Sequence, residues 1–169
     1  MDFKHLYLMK NIVKTHLSEY HSKKMDVLEV GSKDEMKHHK NMVFRRYFNH
    51  PDWKFVGIDI VEGDNVDVVS PDPYNYPFGT DSFDVVISAS VLEHVDDVYA
   101  VVREMARITK KYLIIIVPWD RPTHCYPMDC WRISPTGLRF LIEKLINFHT
   151  LECEFIGRDS YIIAKKIYE

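Results

Sequence analysis

The chain has 169 residues, of which 46% are hydrophobic and 28% charged, with a formal net charge of -3; that suits one domain over 1–169 with a core of its own. The slightly acidic balance gives no sign of a nucleic-acid partner, and no apolar run approaches the roughly 18 residues that span a bilayer. Cys125, Cys130 and Cys153 have no structural-zinc spacing and cannot all pair internally, so reduced thiols and a cytoplasmic setting are expected.

Leu6, Met9, Val13 and Leu17 recur at helical spacing, which predicts an amphipathic helix within residues 1–24. Lys4, His5, Lys10 and Lys14 interrupt its apolar residues, so no signal-peptide core is expected. A first strand is predicted from Asp26 to Val30, followed by a helix from Met36 to Phe48 with Phe44 and Phe48 toward the sheet. A second strand runs from Lys54 to Ile60 and a shorter third from Val66 to Val69. Pro71, Pro73 and Pro77 make the next stretch a loop, because proline lacks the donor that a central strand or helix needs.

A fourth strand is expected from Phe83 to Ser88. Asp96 or Asp97 caps the following helix, in which Val98, Val101, Val102, Met105 and Ala106 form one apolar face. Arg107, Lys110 and Lys111 suit the negative end of its dipole. The nearly all-apolar run from Tyr112 to Val117 predicts a strand buried on both faces. A loop rich in proline and aromatic residues covers 118–134. Ser134-Pro135 then opens a helix with Leu138, Leu141, Ile142, Leu145 and Ile146 as its buried stripe. Leu151–Ile156 and Ser160–Lys165, split by Gly157-Arg158-Asp159, read as an antiparallel hairpin. Strands alternating with helices predict a doubly wound α/β sheet, mostly parallel, with an antiparallel last strand.

The chemistry gathers at the strand ends. The first strand ends in Gly31-Ser32, the second in Asp59-Ile60 and the fourth in Ser88-Ala89-Ser90. Apolar strands that release glycine, acid and small polar residues at one end point to a single ligand site along that edge. Gly31 lets backbone approach a ligand. A carboxylate at Asp59 can accept hydrogen bonds from both hydroxyls of a ribose. No GxGxxG follows the first strand, which argues against a standard dinucleotide fingerprint.

Four segments, VLEVGSK (27–33), VGIDIVEGDNVDVV (56–69), YPFGTDSFDVVISASVLEHVDD (76–97) and HCYPMDCWRISPTGL (124–138), together resemble the class I S-adenosyl-methionine-dependent methyltransferases, specifically the methyltransferase type 11 group. The resemblance covers about Val27 to Leu141. It implies a Rossmann-like, seven-stranded sheet with S-adenosyl-L-methionine as cofactor. It also implies that Glu29, Gly31, Ser32, Asp59, Ile60, Asp72, Ser88 and Ser90 form the cofactor site, with Asp72 near the adenine amino group. The family's further glycines are replaced by Lys33 and Glu35, which leaves open a second reading: a degenerate relative that senses the cofactor or serves as an interaction module.

On the acceptor side, an imidazole suits proton removal from a hydroxyl near neutral pH. His94, in the LEHV motif, and His124, in the 118–134 loop, both lie beyond strand ends and are the candidate catalytic residues. Tyr126, Asp129, Trp131 and Arg132 beside His124 offer stacking surface and donors for a polar ring. This HxxPxDxWR-like loop resembles proteins associated with glycan and polysaccharide synthesis, which makes a sugar hydroxyl the expected acceptor. No long inserted substrate domain is present, so a small acceptor, a second copy or a partner subunit is expected to complete the site. No metal is expected: the other histidines, including the adjacent His38-His39, lack ligand spacing with nearby acids or cysteines.

Overall fold

The computed structural model describes residues 3–34, 43–124, 128–145 and 147–168. In chain order these form α1 (Phe3–Thr15), β1 (Met25–Val30), β2 (Trp53–Asp59), β3 (Val68–Val69), β4 (Phe83–Ala89), α2 (Val98–Ile108), β5 (Thr109–Pro118), α3 (Pro135–Glu143), β6 (Phe148–Ile156) and β7 (Asp159–Lys166). The sheet has seven strands in the order β3-β2-β1-β4-β5-β7-β6. β1 pairs in parallel with β2 and β4, and β4 with β5. β7 runs antiparallel to both β5 and β6, so the last strand alone is reversed.

Strand order reverses between β2-β1 and β4, which is where open α/β sheets leave a crevice at their carboxyl ends. The two faces bury separate cores. On one, Leu6, Met9, Ile12 and Leu17 of the α1 region pack on Val27, Ile87, Ile114 and Ile163. On the other, Val101, Met105, Leu138 and Ile142 of α2 and α3 pack on Leu28, Val86, Leu113 and Ile162. β1 and β5 are buried nearly throughout, as strands covered on both faces must be.

Local signals explain the helix starts. Asp97, not Asp96, caps α2 by accepting from Ala100 N at 2.9 Å. Ser134 Oγ accepts from Gly137 N at 3.2 Å, with Pro135 in the first turn of α3.

Several boundaries differ from expectation. Of the helix predicted over 36–48, residues 36–42 lie outside the described residues. Phe44–Tyr47 is a short 3-10 turn entered from an extended Val43, although Phe44 and Phe48 are buried against the sheet. α2 stops at Ile108, and Lys110 and Lys111 already belong to β5. α3 ends at Glu143, so Leu145 packs on the core from beyond the helix, and Ile146 lies outside the described residues. β6 begins at Phe148, three residues before the predicted start.

A buried charge cluster fixes the loop after β5. His5 Nε2 lies 2.7 Å from Asp159 Oδ2, and the Arg121 guanidinium binds the same carboxylate through Nε and one terminal nitrogen. α1, the start of β7 and the loop leaving β5 are thereby joined at one point. Among the described residues no helix is long and apolar enough to cross a membrane.

Candidate active site

The turn after β1 is held down on β2. Gly31 N and Ser32 N both donate to Ile58 O, at 2.9 and 3.1 Å. Gly31 has φ +70°, and a Cβ there would lie 2.1 Å from Val91 Cγ2. Glycine is thus required by backbone conformation and by the close approach of the segment leaving β4. The carboxyl ends of β1 and β4 converge at this contact.

Asp59, at the end of β2, is half-buried. Its Oδ2 accepts from Lys33 N at 3.0 Å and its Oδ1 from Val61 N at 3.3 Å. A carboxylate has about four acceptor positions, so about two are left for a ligand. Lys33 stands where the resembled family has glycine, yet its backbone joins this network; Glu35 lies outside the described residues. Ile60 beside it is 47% exposed, an apolar surface at the rim.

Glu29 is buried on β1 and accepts from Asn65 Nδ2 at 2.9 Å, while the same Nδ2 donates to Ser32 O at 2.8 Å. Arg45 Nε donates to Asn65 Oδ1 at 2.7 Å, and its guanidinium pairs with Asp67, which also accepts from Gly57 N at 2.7 Å. Glu29 therefore shapes the turn through Asn65. Burial pushes its carboxyl up to about 7, against the opposing pull of Asn65 and Arg45.

The sign of the consequence follows from proton counting. Between about pH 4.5 and 7 the unfolded chain gives up this proton while the folded chain keeps it, so stability falls as pH rises through that window. Above it the full cost of a buried charge is present. Glu29→Gln should accordingly raise unfolding stability by on the order of 2 kcal/mol at pH 8, with the gain shrinking toward pH 4.5. Thermal melts of both proteins across that range would show it; a gap independent of pH would contradict the assignment.

Asp72 is exposed and its Oδ1 accepts from Tyr74 N at 2.8 Å, an Asx-turn that leaves the other oxygen open. Ser88 is buried between Val30 of β1 and Ile115 of β5, and its Oγ has no partner among the described residues. Ser32 Oγ is likewise buried without a partner. Ser90 follows in a left-handed conformation at φ 57°.

The acceptor-side residues meet at the ends of β4 and β5. Leu92–His94 forms a 3-10 turn after β4. The ring of His94 stands edge-on to that of exposed His124, with centroids 5.0 Å apart. His94 Nδ1 bonds Met128 O. His124 Nδ1 lies 3.2 Å from Asp129 Oδ2, and its backbone N donates to the same oxygen at 2.6 Å. The Asp129 side chain is covered, and hydrogen bonds from Arg132 hold its carboxyl well below the usual carboxylate range.

Arg132 spends all five N–H donors inside the loop, on both Asp129 oxygens and on the carbonyls of Arg121, Pro122 and Trp131. It anchors the loop, whereas a substrate contact was expected of it. Trp131 Nε1 donates to Val95 O at 2.7 Å, and its ring lines a groove of about 530 Å³ between α2 and α3. Tyr126 lies outside the described residues.

Sequence reading missed Glu93. It is 1% exposed, lies next to His94, and neither of its carboxylate oxygens has a hydrogen-bond partner among the described residues. Burial pushes its carboxyl up. Its placement beside His124 depends on the fold, since thirty-odd residues of helix and strand separate them. Asn65, Arg45 and Asp67 were missed for the same reason.

The residues fit an adenosine-bearing sulfonium cofactor: open acceptor positions on Asp59, hydroxyls at Ser32 and Ser88 without a partner among the described residues, and a glycine turn where two strand ends converge. A family model described as a methyltransferase domain matches residues 42–117. No curated protein matches the sequence.

Among solved structures, an S-adenosyl-methionine-dependent methyltransferase from Aquifex aeolicus superposes with a TM-score of 0.65 at 16% identity, over 99% of this chain and 100% of that one. The 1,6-didemethyltoxoflavin-N1-methyltransferase of Burkholderia thailandensis, solved with 1,6-didemethyltoxoflavin and S-adenosylhomocysteine, gives 0.71 at 14% identity over 96% and 78%. A Haloferax volcanii protein in complex with the Trm112 methyltransferase activator gives 0.65 at 14% identity over 97% and 95%. At these identities the structural likeness speaks for the fold. Over residues 42–117 the sequence is similar to a methyltransferase domain, and over nearly its whole length the chain has the fold of S-adenosyl-methionine-dependent methyltransferases.

Proposed function

We propose that the methyl group goes to a hydroxyl of a small polar acceptor, a sugar or a related metabolite, held against the 118–134 loop. The observation that carries this reading is the pairing of His124 with a covered, ionised Asp129 at the rim where β4 and β5 end. A base oriented by a third group is what a hydroxyl nucleophile needs and what an already nucleophilic amine does not.

When bound, S-adenosyl-methionine supplies a methyl carbon on a positively charged sulfur, open to in-line displacement. Asp59 is assigned to the ribose hydroxyls, and Gly31 and Ser32 to backbone contact under the methionine part. Glu29 positions that turn through Asn65. The open oxygen of Asp72 is assigned to the adenine amino group and Ile60 to the adenine face. Ser88 and Ser90 are small enough to leave room beyond them. His124 takes the acceptor proton, His94 packs edge-on to orient it, and Asp129 holds the imidazole in place. Trp131 offers stacking surface, with Arg132 fixing the loop that carries it. Free thiols at Cys130 and Cys153 agree with a cytoplasmic setting.

The test is turnover of the cofactor with free sugars, nucleotide sugars and nitrogen heterocycles offered in parallel, read as S-adenosyl-homocysteine formed. The proposal expects product with a hydroxyl acceptor. Product with the nitrogen heterocycles alone would overturn it.

A further inference from the structure

We propose that Glu93, His94 and His124 form a binding site for a divalent transition-metal cation on the acceptor side of the rim. The site shares that rim with the reading above but does not rest on it. One ligand atom from each of the three residues can be chosen so that all lie within 4.8 Å of one another. Glu93 Oε1 and His94 Nε2 are 3.8 Å apart.

Two independent features point to a cation. The first is Glu93 itself, a carboxyl 1% exposed whose two oxygens have no hydrogen-bond partner among the described residues. A buried polar group without a partner carries a desolvation cost that something must offset. The second is the way the two imidazoles are held. Met128 O can only accept, so the His94 proton sits on Nδ1 and the Nε2 lone pair is left toward Glu93. His124 Nδ1 faces the Asp129 carboxylate, which leaves its Nε2 open. A histidine whose far nitrogen donates to a carbonyl or carboxylate is the usual form of a metal-ligating imidazole.

Two nitrogens and one oxygen suit zinc, cobalt or manganese better than magnesium, which prefers oxygen ligands and keeps its waters. Zinc bonds of 2.0–2.1 Å place tetrahedral ligand atoms roughly 3.4 Å apart. The Glu93–His94 spacing is close to that, and His124, on an exposed loop, would move in by about 1 Å. Three protein ligands leave a coordination position open, as in sites where the cation polarises a bound oxygen. Sequence spacing hid the cluster because its third member comes from a different strand end.

The experiment is calorimetric titration of the chelator-treated full chain with zinc, manganese and magnesium chlorides, alongside thermal melts with and without each salt. The proposal expects one equivalent of zinc, a raised unfolding temperature, and weaker binding in the order zinc, manganese, magnesium. Glu93→Gln and His124→Ala should each lose more than the roughly 10–100-fold that removing an outer hydrogen-bond partner costs; exposed His149→Ala should bind as the parent does. His124 is exposed, so its replacement keeps the test valid if the buried Glu93 variant fails to fold. Zinc binding that survives His124→Ala unchanged, or an absence of zinc binding by the parent chain, would overturn the proposal. Neither readout involves methyl transfer, so failure of the acceptor assignment would leave this result standing.

Discussion

Asp59→Ala should weaken binding of S-adenosyl-homocysteine by roughly 10²–10⁴-fold. Two charge-assisted hydrogen bonds to ribose hydroxyls, at about 1.5–3 kcal/mol each, set that range, with about 1.4 kcal/mol per tenfold. The same carboxylate accepts from Lys33 N and Val61 N, so the variant should also melt at a lower temperature. Asp59→Asn separates the two effects, because its amide oxygen keeps part of the acceptor capacity and none of the charge. It should fall between the parent and the alanine variant in affinity. Equal affinity in all three proteins would remove Asp59 from the ribose site.

His124→Ala should lower turnover by about 10²–10⁴-fold, the usual contribution of a positioned acid or base, while cofactor affinity changes little. The split between the two constants is the informative part. His124 stands at the ends of β4 and β5 with Asp129 behind it, away from the Asp59 turn, so a loss confined to turnover locates its action on the acceptor. The expectation holds whether the imidazole takes the proton directly or acts through an ion. A fully active variant would remove His124 from the chemistry, and a parallel loss of cofactor affinity would mean that the loop shapes the cofactor site instead.

The elements most legible in the sequence were those whose pattern is repeated by burial. The five-residue apolar face of α2, the Ser134-Pro135 start of α3 and the unbroken apolar run in β5 each matched a single structural answer. The topology followed, including the reversed last strand, because strands alternating with helices leave few ways to build a sheet. Boundaries failed where tertiary contacts overruled local pattern. Arg45 is drawn to Asn65 and Asp67, within a tight turn in place of the predicted helix's last residues. A register shift between Thr150 and Glu152 breaks the alternation that would have marked the start of β6.

Residues at strand ends can be placed from position alone, which is why Gly31, Asp59 and Ser88 lie at the carboxyl ends of β1, β2 and β4 as the sequence predicts. Partners that reach the site from other segments cannot. Asn65 under Glu29, and Glu93 against His124, have no spacing rule that predicts them. Arg132 looked like a ligand-binding cation because sequence cannot show that its donors are already engaged by the loop it belongs to.

The central claim is that the carboxyl ends of β1, β2 and β4 together form one cofactor site. Calorimetric titration of the intact chain with S-adenosyl-homocysteine addresses it most directly. Saturable heat from a single site, with a dissociation constant in the micromolar range, is the predicted result. No heat at millimolar ligand would contradict it.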